Sequence, residues 1–201
     1  MKLYHSATSP FVRKVMVLVH EARIGGLTLV PVAGNPVAPG TMPVDHNPLG
    51  KIPALVLDDR RTLHDSRVIC RYLDDHARAG LYPAAPGLWD SLTLEATADG
   101  ILEAAVLMVY EQRLRPEDLR FAPWTEGQWA KIARALDAAE TRWMPHLHGP
   151  LDMGQIALAC ALGYLDFRHD ARSWRQGRES LAAGYAAISQ RPSMQATVPQ
   201  G

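Results

Sequence analysis

The 201-residue chain has little cysteine and no net charge: two Cys, and 21 Lys plus Arg against 21 Asp plus Glu. Each shortage excludes a class of protein. Cys70 and Cys160 lie far apart within apolar helical patterns, so they read as buried thiols of a reduced compartment, not as a staple. A balanced charge offers nothing to a nucleic-acid backbone or to an anionic membrane surface. No apolar run is long enough to cross a bilayer. The opening MKLYHSATSP has one lysine and no sustained apolar stretch, so no signal peptide is expected. Internal repeats and low-complexity tracts are missing as well. What the chain does have is apolar residues, 47% of the total, too many for a disordered polymer. A chain of this size buries roughly 70% of its unfolded surface, enough for one or two real cores. The expectation is a cytoplasmic globular protein without nucleic-acid or membrane partners.

The first third alternates short apolar runs with helical patterns. Lys2 to His5 suits a strand. Ser9-Pro10 then opens FVRKVMVLVHEA, with serine as N-cap and proline in the first turn. Gly25-Gly26 is expected to stop that helix, and Leu27 to Val32 reads as a second strand. Residues 33 to 50, with four prolines and three glycines, predict an irregular connection. Strand signals follow at 52–57 and 62–64, separated by the turn Asp58-Asp59-Arg60-Arg61. Asp65-Ser66 then precedes the amphipathic RVICRYLDDHA. The order β-α-β, loop, β-β-α predicts a small α/β domain over residues 1–78.

Strand signals are lacking beyond residue 78. RAGLYPAAPG (78–87) reads as a linker. Residues 88–113, 125–147, 152–169 and 173–190 all show helical periodicity, with Pro116 and Pro123 breaking the first pair. The second domain, 87–201, is therefore predicted to be an all-α bundle. His146 and His148 have no third ligand nearby, so they read as helix-end histidines and not as a metal site. Gly100, inside a long helix at a cost of about 1 kcal/mol relative to Ala, suggests close packing. The tail from Ser193 lacks helical periodicity.

Three stretches together carry a resemblance. They are Thr8-Ser9-Pro10-Phe11-Val12-Arg13-Lys14; Asn47-Pro48-Leu49-Gly50-Lys51-Ile52-Pro53-Ala54-Leu55; and Leu63-His64-Asp65-Ser66 followed by a helix. At this spacing the chain resembles, over essentially its whole length, the cytosolic glutathione S-transferases, and within them the bacterial branch with serine in the first loop. The resemblance implies a thioredoxin-like N-terminal domain followed by a helical bundle. It also implies glutathione as co-substrate without a metal, a small apolar electrophile, and a homodimer.

The resemblance assigns roles that the residue chemistry can support. Ser9, at a helix N-terminus with unpaired N–H groups, would hydrogen-bond the glutathione sulfur and favour its thiolate. Thr8 is the competing hydroxyl, and Tyr4, within the first strand, a weaker one. Serine cannot form a mixed disulfide, so conjugation is favoured over thiol exchange. The family's proline at Pro53 is cis, which would expose the Ile52 backbone to the cysteinyl backbone of glutathione, as in strand addition. Ser66 and the helix N–H groups behind it would take the γ-glutamyl carboxylate, with Asp65 near its amine. Lys51 would face the glycyl carboxylate, and Glu103 the γ-glutamyl amine bound in the partner subunit. Phe11 is assigned to the glutathione site, and the electrophile would lie between it and Met108, Tyr110 and Arg113, although a helix bearing Val106, Met108, Val109 and Tyr110 suits a core equally well. Asp152 and Gln155 stand where the family has a capping box.

The implied activity is attack of a glutathione thiolate on a small electrophile. Two alternatives stay open at this level. One is a non-catalytic binding or scaffold protein with the same fold; the other is a glutathione-dependent peroxidase, isomerase or dehalogenase using the same thiolate.

Overall fold

The computed structural model describes residues 1–200. It divides into two compact units: Met1–Tyr82 together with the tail from Pro192, and Pro83–Arg191. The tail, placed by sequence in the second domain, thus joins the first unit.

The first unit is built on a four-stranded mixed sheet. Strand β1 (Lys2–His5) leads into α1 (Pro10–Glu21), and β2 (Thr28–Pro31) returns parallel to β1. After the irregular connection, β3 (Ala54–Val56) and β4 (Thr62–Leu63) add antiparallel neighbours, giving the order β2-β1-β3-β4. α2 (Ser66–Ala77) follows and packs beside α1. This is the thioredoxin-like arrangement expected. Leu3, Val15, Leu18, Leu55, Ile69 and Leu73 are fully buried and form the core between sheet and helices. The 3.6-residue repeat of α1 and α2 turns their apolar faces to the same side.

Local boundaries differ from the sequence reading for physical reasons. α1 ends at Glu21, before the glycine pair, because Arg23 already adopts a left-handed φ of 53°. β3 starts only at Ala54, after the Ile52–Pro53 peptide, which is cis. α2 ends with Arg78 at φ 52°, and the buried Asp74 carboxylate accepts from the Leu81 and Tyr82 N–H groups at 2.7 and 3.3 Å. The tail is not irregular throughout: α8 (Pro192–Gln195) forms a single turn packed on α1. Arg13, 6% exposed, donates from Nη2 to the Met194 carbonyl at 3.2 Å, and the Ser193 hydroxyl donates to Glu21.

The second unit is helical. Its helices are α3 (Gly87–Leu114), α4 (Ala122–Ala138), α5 (Met144–Leu147), α6 (Met153–His169) and α7 (Glu179–Ser189). None is long and apolar enough to cross a membrane among the described residues. The stretch 125–147 is interrupted by a π-helical turn at Ala139–Trp143. The expected helix at 173–190 begins only at Glu179, where the Glu140 carboxylate accepts from the Ser180 and Leu181 N–H groups at 3.1 and 2.6 Å. Residues 173–178 instead wrap around buried Trp174, whose Nε1–H reaches Asp166 at 2.7 Å.

α6 is buried over almost its full length and lies along α3. Asp152 caps it, accepting from the Gln155 N–H at 2.9 Å. The second half of the expected capping box is absent, because the buried Gln155 amide is taken by other backbone groups. It donates to the carbonyls of His146 and Pro150, both at 2.9 Å. His146 meets the other Asp152 oxygen at 2.8 Å. Among the described residues no group of three or more His, Cys, Asp or Glu is placed to hold a metal.

One glycine differs from its sequence reading, and another proves to be tightly packed. Gly100 has nothing within 4 Å of a Cβ position, so the close packing expected there is absent. At Gly154 a Cβ would lie 2.8 Å from the Ser91 carbonyl oxygen and 3.0 Å from Leu94 Cβ, where α6 crosses α3. Gly154→Ala should therefore destabilise the protein by about 1–3 kcal/mol, by overpacking against backbone. Gly100→Ala should stabilise it by about 0.5–1 kcal/mol, as in an exposed helix interior. Denaturant melts of the two variants check both signs.

Candidate functional site

Strand register decides where the singled-out residues of the first unit meet. Tyr4 pairs with Ala54 across β1 and β3, and Leu55 pairs with Leu63 across β3 and β4. Both pairings are antiparallel. The C-terminal end of β1, the entry to β3 and the exit from β4 therefore share one end of the sheet. Ser9 follows β1, Ile52 precedes β3, and Asp65-Ser66 follows β4. Three separate stretches of sequence are thus brought to one end of the sheet by pairing alone.

Ser9 caps α1. Its backbone is extended, with φ −82° and ψ 119°, and its hydroxyl oxygen accepts from the Val12 N–H at 3.3 Å. A hydroxyl has one proton and two lone pairs, so capping leaves the O–H free to donate elsewhere. Thr8 differs: its hydroxyl pairs with that of Ser6 at 3.1 Å. Tyr4 is turned toward His46, with ring centroids 5.1 Å apart. Phe11, half-buried, sits in the first turn of α1 beside Ser9.

The Ile52 N–H and C=O make no hydrogen bond among the described residues. The turn before them is braced by Asn47, which is buried. Its side-chain amide donates to the Lys51 carbonyl at 2.8 Å and its oxygen accepts from the Leu49 N–H at 3.1 Å. The residue type, an amide before a Pro-Leu-Gly turn, is the sequence signal for this bracing role. Lys51 is exposed, with no acidic partner among the described residues.

α2 begins at the same edge. Asp65 is its N-cap and accepts from the Arg67 N–H at 3.0 Å. Partial burial works to raise the Asp65 carboxyl. The Arg67 N–H, the Arg67 guanidinium and the Lys14 ammonium together outweigh it and hold the group below its ordinary range. Lys14 is fully buried beneath this point, a contribution sequence reading missed because a lysine inside an amphipathic helix normally faces solvent. Ser66 is only 2% exposed, yet its hydroxyl makes no hydrogen bond among the described residues. An unsatisfied hydroxyl at a helix N-terminus is suited to receive an anion.

The remaining singled-out residues lie on α3 in the second unit. Glu103 is exposed and has no ion pair among the described residues. Met108 is 3% exposed and belongs to the core. Tyr110 and Arg113, three residues apart, share a helix face that Met108 does not. Burial pushes the Tyr110 hydroxyl upward, so it stays protonated. Two side chains of α6 that sequence reading passed over, Tyr164 and Arg168, interact electrostatically with this pair.

Comparison with known proteins identifies the family. The family model described as "Glutathione S-transferase, N-terminal domain" matches residues 8–76, and "Glutathione S-transferase, C-terminal domain" matches residues 122–185. The chain belongs to the glutathione S-transferase family. Across 99% of its length it is 34% identical to an Escherichia coli (strain K12) relative, the uncharacterized GST-like protein YibF, of which 98% is covered. A glutathione transferase family member of Pseudomonas fluorescens Pf-5, solved with bound glutathione, is 47% identical. The two superpose with a TM-score of 0.97, covering 100% of this chain and 99% of that one. A further Pseudomonas fluorescens structure, 46% identical with a TM-score of 0.93 and full coverage of both chains, holds S-(propanoic acid)-glutathione.

The Asp65 geometry generates a pH prediction. Its carboxyl is lower in the folded than in the unfolded state, where it titrates near 3.9. The cap therefore contributes its full stability above that value, and loses it as pH falls through the lower folded value. Asp65→Asn should flatten this part of the acid limb when Tm is followed from about pH 6 to pH 2, relative to wild type.

Proposed function

We propose that this protein is a cytoplasmic glutathione transferase of the serine type, activating the glutathione thiol for attack on a small electrophile. The observation that carries the proposal is the convergence of Ser9, the unpaired Ile52 backbone and the unpaired Ser66 hydroxyl at one end of the sheet. Those three groups match the three chemistries of the tripeptide: a thiol, a peptide backbone and a terminal carboxylate.

In this reading the cysteinyl backbone of glutathione pairs with the Ile52 N–H and C=O like an added strand. Its γ-glutamyl carboxylate takes the Ser66 hydroxyl and the first N–H groups of α2, while Asp65 and the ammonium group attract each other. Lys51 faces the glycyl carboxylate. The sulfur then lies at the start of α1. There the free Ser9 O–H and the positive end of the helix favour thiolate over thiol. A hydrogen bond to a charged group contributes about 1.5–3 kcal/mol, enough to bring a thiol from about 8.5 toward about 7. With no cysteine in this loop, the protein forms no mixed disulfide there, which favours conjugation over disulfide exchange.

Tyr110 and Arg113, on one face of α3, are the proposed surroundings of the electrophile. Met108 backs them from the core. Glu103, exposed and unpaired, fits a role toward the γ-glutamyl amine held by a second copy in a two-fold homodimer. Relatives that bind glutathione support the choice of co-substrate, and no metal takes part in the proposed chemistry.

Ser9→Ala should lower kcat at pH 7 by about 10- to 100-fold while changing glutathione affinity less than about threefold. It should also shift the pH profile of kcat/KM to the alkaline side, with about 1 kcal/mol of stability lost from the missing cap. Ser66→Ala should instead raise the Kd for glutathione by about tenfold or more. Steady-state kinetics and calorimetric titration separate the two patterns. Wild-type turnover by Ser9→Ala would remove Ser9 from the mechanism.

A further inference from the structure

The carboxyl-terminal tail lies along α1 and is tied to it at two places. At the far end of α1 the Ser193 hydroxyl donates to Glu21. Nearer its start, the Arg13 guanidinium reaches the tail twice. Its Nη2 donates to the Met194 carbonyl at 3.2 Å, and its Nε lies 3.5 Å from Thr197 Oγ1. Ser193 and Met194 are both buried. Thr197 closes the turn by donating its own proton to the Ser193 carbonyl at 2.8 Å, and the Ala196 N–H donates to the Pro192 carbonyl at 2.9 Å. A single helical turn is too short to persist in water by itself, so this geometry depends on α1.

Arg13 is an unusual choice for fastening a tail. Its side chain is buried, its Nη1 has no hydrogen-bond partner, and its charge meets no carboxylate among the described residues. An apolar side chain would cover the same face at lower cost. What a planar fork of donors adds is direction: two bonds from one rigid group fix a register that apolar contact leaves free to slide. The position matters too. The Arg13 N–H donates to the Ser9 carbonyl at 3.0 Å, and the Val12 N–H donates to the Ser9 hydroxyl at 3.3 Å. Both bonds that α1 makes to Ser9 therefore come from the turn that the tail holds.

We propose that the tail residues Met194 and Thr197, acting through Arg13, are positioning residues for the Ser9 hydroxyl. This rests on the reading of Ser9 as the group that meets the glutathione sulfur. By holding the first turn of α1, the tail keeps the Ser9 O–H aimed at one point. A misplacement of about 1 Å in such an alignment costs up to about 100-fold in rate. Ile52 and Ser66 lie on other elements and keep glutathione bound when the tail loosens. Thiol ionisation and glutathione affinity should therefore separate.

The ultraviolet absorbance of the bound thiolate against pH, with calorimetric titration of reduced glutathione, tests this on the full chain. Met194→Ala should shift the bound thiol up by about half a pH unit. Thr197→Val, which keeps the shape and loses the hydroxyl, should shift it by about 0.3 unit. In both, the Kd for glutathione should change less than about twofold. In a Ser9→Ala background neither tail substitution should move the thiol further, because the tail acts only through Ser9. Gly154→Ala, destabilised in the other unit, should leave the thiol at its wild-type value. If Met194→Ala does not fold, Thr197→Val carries the test. A wild-type thiol value in the tail variants would overturn the proposal and leave the transferase reading standing. So would an equal shift in the Ser9→Ala background or in Gly154→Ala. Failure of wild type to bind glutathione, or a bound thiol at its free value, would overturn the transferase reading and the proposal with it.

Discussion

Unpaired N–H groups at the start of a helix are the constraint on which the site depends. Every α-helix begins with donors that it cannot satisfy itself. In the first unit two helices begin at the same end of the sheet, and each is only partly capped. Ser9 satisfies one donor of α1 and retains its own proton; Asp65 satisfies one donor of α2 and leaves Ser66 unpaired. Two positive helix ends on one edge create a place where a thiolate and a carboxylate are both favoured over water. The proposed chemistry needs little beyond this, since glutathione brings its own nucleophile.

The remainder of the first unit keeps those ends in place. Register places Ser9, Ile52 and Asp65 at one edge, and a one-residue slip in β3 would reverse its buried face. Asn47 fixes the turn before Ile52 by bonds in both directions. Lys14, buried under Asp65, adds positive potential below the α2 cap, where an acidic side chain and an incoming carboxylate would otherwise repel each other. In the second unit α3 and α6 are locked by the near-contact at Gly154 and by His169, whose Nε2 lies 3.0 Å from the Ala105 carbonyl. That lock sets which α6 side chains stand beside Tyr110 and Arg113.

Much of this was legible in the amino-acid sequence, for identifiable reasons. Strand order, the Ser9-Pro10 start and the Asp65-Ser66 start rest on local rules of periodicity and capping, which a linear chain displays. The unreadable parts depend on partners distant in the chain. Gly100 and Gly154 look alike in sequence, but only the second meets another helix. Gln155 sits at the capping-box position, yet the carbonyls of His146 and Pro150 compete for its amide and win. Residues 173–178 have helical composition but are held out of a helix by burial of Trp174, while Glu140 caps the helix that starts later. Tyr164 and Arg168 carry no sequence signal, because an apolar helix with one arginine reads as core until its neighbour on α3 is known.

The measurement that tests the central claim most directly is the ionisation of glutathione's thiol when bound. The ultraviolet absorbance of the thiolate, followed against pH in the complex with wild type and with Ser9→Ala, reads it without any electrophile. The account predicts a bound thiol well below its free value of about 8.5 in wild type, returning toward that value in Ser9→Ala. A bound thiol that titrated at its free value in wild type would contradict it.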